Sequence, residues 1–211
     1  MTVAQKPRKW TVEEFFAWHE RQEERYELVG GYPVLKNAPV RVVLEPDTPK
    51  LMTGGNRQHN EVSAALLTCF RNALRGTPCR AYANDAAVRT AVDQIRYPGL
   101  VVDRGSKADD NYVFEHPVLV AEVLSSSTRS FDLTGKMTEY WSIETVHYIL
   151  IVDPETRRVQ LHSRSEHLIP VLQLFDQLDQ SVELPELAVS VSMADVFAGL
   201  PPADGDASSN A

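Results

Sequence analysis

The stretch Val118-Leu-Val-Ala-Glu-Val-Leu124 is the most hydrophobic part of the chain and has the length of a β-strand. A continuous apolar run of this length is typical of a strand in the middle of a sheet that is covered on both faces. Glu122 interrupts the run, and a buried carboxylate needs a metal, a cation or hydrogen bonds to compensate it. The alternative is an edge strand with Glu122 in solvent. Strand alternation, however, places Val118, Val120 and Leu124 on the side of Glu122, which favours a ligand or ion-pair role.

The segments on either side of this run predict an α/β (α+β) architecture. A capping box of Thr11 and Glu14 predicts a helix near 11–22, and apolar spacing predicts a second helix over 56–75 that ends at Gly76. Further helical segments are predicted at 130–143 and 193–197. Strands are predicted at 26–29 and 32–35 around two glycines, and at 80–82, 86–92, 100–102, 118–124, 146–152, 158–163, 168–174 and 181–191. The order strand, helix, strand between 118 and 152 predicts a crossover in a mixed sheet.

Composition limits the class of protein. The chain has 211 residues, of which 43% are hydrophobic and 24% charged, and this predicts one soluble domain over 1–200 followed by a disordered tail over 201–211. No apolar run approaches the roughly 20 residues that span a bilayer, and the basic N-terminus leads to no signal-peptide segment, so we expect a cytoplasmic protein. Two cysteines cannot form a zinc site alone and are expected to be free thiols, with Cys69 in the core.

The charge distribution bears on the class of partner. A net charge of −8 argues against nucleic acid, because phosphate binding is normally accompanied by an excess of lysine and arginine. Basic residues nevertheless outnumber acidic residues between Arg57 and Lys107. This local excess is compatible with a basic face around a site, and equally with arginines scattered over a solvated surface.

Lys136 is a second candidate functional residue. Helical spacing from Leu133 turns Lys136 partly inward, close to Tyr140. A lysine at the boundary of the core with its ammonium in water is the alternative. A lysine on the helix that follows a strand with a buried carboxylate suits phosphodiester cleavage, because the ammonium stabilises developing negative charge while a metal polarises phosphate and water.

Glu27 and His59 are weaker candidates. Glu27 lies in a short predicted strand between Tyr26 and Leu28, and His59 lies on the apolar side of the 56–75 helix near its start. A histidine in that position is often a cap or a core residue instead. The remaining histidines show no His-Glu-x-x-His spacing, which disfavours a zinc enzyme.

An ordered set of short motifs resembles a known family. The set consists of Tyr26-Glu-Leu-Val-Gly-Gly31, His59, Arg96-Tyr-Pro-Gly-Leu-Val-Val102, Val120-Ala-Glu-Val-Leu-Ser125, Ser127-Thr128, Asp132, Lys136, Tyr140 and Ile149-Leu-Ile-Val-Asp-Pro154. In this order it resembles the Uma family of restriction endonuclease-like proteins in the PD-(D/E)XK nuclease superfamily. The resemblance implies a mixed central sheet flanked by helices and Mg²⁺-dependent phosphodiester hydrolysis.

The resemblance also implies roles for particular residues. Glu122 and the backbone carbonyl of Val123 would bind Mg²⁺ or Mn²⁺. Lys136 would be the catalytic lysine, moved from the usual strand position at Leu124 onto the next helix. Glu27 would be an accessory acid, with His59 and Tyr140 as further accessory residues.

One position departs from the family pattern. The family strand opens with Pro-Asp, and this aspartate is the central metal ligand, whereas here Pro98 is followed by Gly99. Asp103 lies on the same face but four strand residues away, about 13 Å at 3.3 Å per residue. Asp85 or Asp93 could reach the site only by a rearrangement. With Glu122 and Glu27 as the remaining carboxylates, a hard cation would bind weakly.

Two hypotheses of function therefore stand. The first is a metal-dependent endonuclease that cuts nucleic acid, most simply DNA, and that pairs as a homodimer to cut both strands. The second is a catalytically degenerate nuclease fold that persists as a binding or interaction module, because Gly99 replaces the metal ligand.

Overall fold

The computed structural model describes residues 8–36, 56–83, 85–105, 113–125, 133–164 and 170–201. The helices are α1 (Val12–His19), α2 (Arg57–Ala73), α3 (Leu133–Trp141) and α4 (Met193–Val196). The strands are β1 (Tyr26–Val29), β2 (Tyr32–Leu35), β3 (Arg80–Ala83), β4 (Ala87–Ala91), β5 (Gln94–Arg96), β6 (Leu100–Asp103), β7 (Val113–Phe114), β8 (Pro117–Val123), β9 (Tyr148–Asp153), β10 (Arg158–Arg164), β11 (Pro170–Phe175), β12 (Ser181–Leu184) and β13 (Val189–Ser192).

The described strands form two larger sheets and a separate β12–β13 pair. The first sheet has the order β2-β1-β5-β4-β7, and the second has the order β11-β10-β9-β8-β6-β3. In the second sheet, β8 pairs in parallel with β9 and antiparallel with β6. This confirms the predicted mixed sheet with a crossover through α3. Because β8 lies between two neighbours, the alternative of an edge strand for Glu122 is wrong.

Most predicted elements are confirmed with shifted ends. Thr11 and Glu14 form the predicted capping box of α1, which ends at His19 and not at residue 22. Gly30 and Gly31 have φ angles of 56° and 84°, so their lack of a Cβ allows the tight turn between β1 and β2. Gly76, with a φ of 82°, follows α2 as expected for a helix end.

One predicted strand is divided in the structure, and one further strand has no counterpart among the predictions. The strand predicted over 86–92 is β4, and β5, which follows a two-residue turn and pairs antiparallel with β4, is not predicted from the sequence. The segment predicted over 181–191 is a hairpin of β12 and β13 around a short 3₁₀ helix at Pro185–Leu187. In both cases a turn of two to four residues interrupts an otherwise strand-like composition, which the period of hydrophobic residues does not reveal.

The second sheet is covered on both faces. Val62, Leu66 and Phe70 of α2 pack on the face that carries Ala121 and Val123. On the opposite face, Val120 packs with Tyr140 and Met137 of α3. Glu122 alternates with Ala121 and Val123 and therefore faces α3. Cys79 is buried in the α2-side core, whereas Cys69, the cysteine predicted there, is only partly buried, and both are free thiols.

Two further predictions concern the chain ends and the membrane. The tail predicted over 201–211 lies outside the described residues except for Pro201. Among the described helices, none combines the length and the hydropathy needed to cross a bilayer.

Candidate functional site at the junction of the two sheets

The candidate site lies where the chain passes from one sheet to the other. β5 of the first sheet ends at Arg96, and β6 of the second begins at Leu100. Beside this passage, β1 pairs with β5 through Leu28 and Ile95, while β6 pairs with β8. Side chains from β1, β5, β8 and α3 therefore meet at one place, although they are far apart in the sequence.

Lys136 bridges the two carboxylates that the sequence singled out. Its Nζ lies 3.6 Å from Oε1 of Glu27 on β1 and 3.6 Å from Oε1 of Glu122 on β8. Lys136 is buried, so its side chain points inward and the boundary alternative is wrong. The predicted catalytic trio is thus brought together, and its three charges lie within one partly enclosed cluster.

Tyr140 orients Glu122. It lies one helical turn after Lys136, and its hydroxyl donates a hydrogen bond of 2.7 Å to Oε1 of Glu122. Burial, reinforced by the negative charge of Glu122, raises the pKa of Tyr140 well above its ordinary value, so the phenol stays a donor. The Glu122 side chain retains 13% exposure, and it is the member of the trio most open to solvent.

A buried arginine organises the other carboxylates. Nη1 of Arg96 donates to Oε2 of Glu27 at 2.7 Å, while its Nε and Nη2 donate to the two oxygens of Glu139 at 2.6 and 2.7 Å. The backbone N–H of Tyr97 donates to Oε1 of Glu27 at 3.2 Å. Arg96 is 2% exposed and therefore has to be paired. Although burial acts against it, pairing with Glu139 and Glu27 keeps the pKa of Arg96 above its ordinary value.

Lys36, directly after β2, adds a further charge to the cluster. Burial lowers the pKa of Lys36, although the charges of Glu27 and Glu122 act to raise it. Burial alone would raise the pKa of Glu27, but the cations of Lys136, Arg96 and Lys36 hold it below its ordinary value. Within the described chain, three cations therefore balance the carboxylates of Glu27, Glu122 and Glu139.

We expect this cluster to make stability fall at acid pH. The pKa of Glu27 is lower in the folded chain than the ordinary 4.5. In acid, the unfolded chain therefore binds more protons than the folded chain, which favours unfolding. The contribution is complete above the unfolded-state pKa and is lost as the pH falls through the folded-state pKa. Urea unfolding between about pH 7 and pH 3 measures it.

The matched comparison uses two glutamines. Glu27→Gln should flatten the acid limb of the stability profile, whereas Glu144→Gln, at an exposed position just after α3, should leave it as in the native chain. Equal acid limbs for the native chain and Glu27→Gln would contradict the assignment.

Whether these residues can bind a divalent cation depends on which carboxylate oxygens have no partner within the described chain. Both oxygens of Glu27 are engaged by Arg96, Tyr97 and Lys136, and Oε1 of Glu122 is engaged by Tyr140 and Lys136. Across the described residues, no three His, Cys, Asp or Glu side chains lie close enough to hold a metal ion. Mg²⁺ is often held by one or two carboxylates with water and phosphate completing its shell. Glu122 fits that weak kind of site and not an all-protein one.

Gly99 directly precedes β6, next to the position of Glu122 on β8. β6 and β8 pair Leu100 with Ala121, so Gly99 stands opposite Glu122. A Cβ added at Gly99 would lie 3.3 Å from the Ala121 oxygen and 3.4 Å from the Val123 nitrogen. The same Cβ would lie 3.8 Å from Cγ2 of Val123. Position 99 therefore borders β8 next to Glu122, but glycine supplies no ligand there.

The other aspartates considered as substitutes for a metal ligand at position 99 bind partners outside the cluster. Asp103 accepts hydrogen bonds from the backbone N–H groups of Gly105 and His116. Asp85 pairs with Arg25, and Asp93 pairs with Lys9. None of these pairings involves the cluster, in agreement with the expectation that Asp103 cannot substitute at position 99.

His59 is placed away from the trio. It lies in the first turn of α2, which packs on the face of the second sheet opposite to Glu122. Its Nδ1 is buried and has no hydrogen-bond partner among the described residues. The accessory role of His59 stays a prediction.

For three members of the cluster the sequence predicts no functional role: Lys36, Arg96 and Glu139. Helical spacing could have indicated Glu139. Residues at i, i+3 and i+4 share a helix face, and Lys136, Glu139 and Tyr140 follow that spacing. Arg96 belongs to the region of local basic excess, but its side chain is buried and adds nothing to a basic surface. Nothing in the local sequence of Lys36 indicates its partial burial.

Comparison with known proteins agrees with the fold. A protein of Synechocystis sp. named "Uncharacterized protein slr1290" is 27% identical over 198 residues, which cover 91% of this chain and 93% of that protein. A crystal structure described as a putative nuclease belonging to DUF820, from Anabaena variabilis, superposes with a TM-score of 0.65 at 18% identity. The superposition covers 89% of this chain and 97% of that one, and it shows a shared fold.

A family model described as "Putative restriction endonuclease" matches residues 12–194, and this range contains every residue of the cluster. The chain therefore belongs to the Uma2 family, as its motifs indicated.

Proposed function

We propose that this protein is a nuclease that hydrolyses phosphodiester bonds of nucleic acid, with DNA as the first substrate to test. The observation that carries the proposal is the position of Lys136, whose ammonium lies 3.6 Å from both Glu27 and Glu122. Family membership supports the same class of activity. Phosphodiester cleavage needs negative charge to be stabilised as it develops, and a positioned ammonium does this without reorganising solvent.

The role proposed for each residue follows from its exposure and its contacts. Glu122 and Lys136 are the catalytic pair: Glu122 is open to solvent on one oxygen, and the ammonium of Lys136 neutralises charge on the phosphoryl oxygens. Glu27 and Tyr140 are positioning residues, because Glu27 holds Lys136 from the buried side and Tyr140 holds Glu122. Glu122 and the carbonyl of Val123 would hold Mg²⁺ or Mn²⁺, which when bound polarises phosphate and water.

A cleavage assay tests the proposal. Supercoiled plasmid is incubated with the purified chain and Mg²⁺ or Mn²⁺, and nicked and linear products are quantified. We expect Glu122→Gln to reduce the rate by at least about 100-fold, because the amide keeps the hydrogen bond from Tyr140 but loses the charge. Glu144→Gln is the control and should cut as the native chain does. Absence of cleavage by the native chain with either metal, or equal rates for both variants, would contradict the proposal.

A second candidate function is favoured by Gly99. The position opposite Glu122 has no carboxylate, and the charges of the described cluster balance without a metal. On this proposal the chain binds nucleic acid without cutting it. Labelled duplex DNA would then bind in EDTA, with an affinity that falls as salt rises, and would remain intact after metal is added. Native cleavage that depends on Glu122 would contradict this second function.

A further inference from the structure

Within the described part of the chain, the outer strand of the second sheet has an unpaired edge and carries no charge. β11 pairs with β10 on one side, and no other described strand pairs with it. Its sequence, Pro-Val-Leu-Gln-Leu-Phe, contains no charged residue. Leu172 and Leu174 are 58% and 52% exposed, and Val171 is 47% exposed. Monomeric proteins usually protect such an edge with charges, bulges or a covering segment, because its free N–H and C=O groups pair readily with another strand.

We propose that β11 pairs antiparallel with β11 of a second copy of this chain, which joins the two six-stranded sheets into one. The partner is inferred from the pattern of the strand itself. In an antiparallel pair, opposite residues point to the same face, so a twofold axis has to pass midway between the two copies of one residue. An axis at Gln173 places Leu172 opposite Leu174 of the second copy, and Val171 opposite Phe175.

This register is complementary on both faces of the joined sheet. Leu172 and Leu174 lie beside His162 and Gln160 of β10 on one face, and their exposed surfaces would cover each other across the new pair. On the other face, Phe175 already packs against the α2-side core, and Val171 would extend that apolar surface. No like charges meet anywhere in the strand pair. A twofold strand pair is also closed, so association stops at the dimer.

Sedimentation velocity of the full chain over a range of concentrations tests the proposal. Because one strand pair buries less surface than a standard interface, we expect a dimer that dissociates on dilution. Leu172→Lys with Leu174→Lys should give a monomer at every concentration, since it brings four ammonium groups together. Val92→Lys is the control: Val92 is 79% exposed in the turn between β4 and β5, and its replacement should leave the dimer unchanged.

Cysteine cross-linking tests the register and also covers the case in which the lysine variant does not fold. Residues that face each other across the axis have Cα atoms about 4.5–5.5 Å apart, within the range of a disulfide. Gln173→Cys should therefore form a covalent dimer on oxidation, whereas Leu174→Cys, which faces Leu172 of the second copy, should not. The native chain, with Cys69 and Cys79, gives the background.

Three results would overturn the inference. A native chain that is monomeric throughout would mean that another segment or another protein covers the edge. A folded lysine variant that dimerises as the native chain does would place the interface elsewhere. Equal cross-linking by the two cysteine variants would exclude the register centred on Gln173.

Discussion

Replacing Arg96 by methionine is expected to lower the free energy of unfolding by about 3–5 kcal/mol, the range found when one partner of a buried ion pair is removed. Arg96 is 2% exposed and satisfies carboxylate oxygens on two other elements, β1 and α3. Methionine fills part of the space but donates no hydrogen bond. Glu27 would retain Lys136 and the N–H of Tyr97, while both oxygens of Glu139 would lose their partner.

Urea unfolding at neutral pH measures this loss, and Arg25→Met is the matched control. Arg25 also pairs with a carboxylate, that of Asp85, but both side chains are more than half exposed. Exposed pairs contribute about 0–1 kcal/mol, so the control should unfold close to the native midpoint. If the two methionine variants lose similar stability, the buried network does not hold the sheets and α3 together.

A double variant separates two costs in unfolding free energy, that of the lost hydrogen bonds and that of the unpaired charge on Glu27. If the cost of Arg96→Met comes from leaving Glu27 ionised and less well paired, Glu27→Gln should be less damaging in the Arg96→Met background than in the native chain. The difference is the coupling energy of the pair. Additive costs would show that Arg96 acts through packing alone.

Gly99→Asp is expected to raise the affinity of the site for Mn²⁺ at least tenfold, or about 1.4 kcal/mol. The new carboxylate would stand opposite Glu122 and add oxygens to a site that the described chain supplies with only one open carboxylate oxygen. A Cβ at position 99 would lie 3.3 and 3.4 Å from backbone atoms of Ala121 and Val123, so β8 has to shift by tenths of an ångström, and Gly99→Asn carries the same cost.

Gly99→Asn is the control for this gain, since asparagine has the same shape without the charge. Calorimetric titration with Mn²⁺ should detect tight binding by the aspartate variant alone. Equal affinity for the native chain and the aspartate variant would contradict the placement of position 99 at the metal site. The same variant also separates the two candidate functions: a degenerate site gains cleavage with the aspartate, whereas an active native site already cuts before the change.

Local sequence is sufficient to predict β8, α3 and two residues of the site, Glu122 and Lys136, whereas β5 is missed and Glu27 receives its role only from the family resemblance. Val118–Leu124 was predicted as a central strand because its length and continuous hydrophobicity match a strand covered on both faces, and β8 confirms it. Glu122 was singled out because a carboxylate in such a strand requires compensation. Lys136 was singled out because helical spacing turned it toward the core. Each of these features depends on neighbours within about one turn or one strand.

The partners of those residues were decided by the tertiary structure. Arg96 and Glu27 are 69 positions apart, and Arg96 and Glu139 are 43 apart, so no local period reports their contacts. The crossing from β5 to β6 brings the two sheets together and buries the arginine between acids from β1 and α3. The sequence by itself determined which residues needed compensation, because burial follows from the hydrophobic pattern. Only the tertiary structure decided which charges compensate them, because ion pairing depends on distance in space and not on separation along the chain.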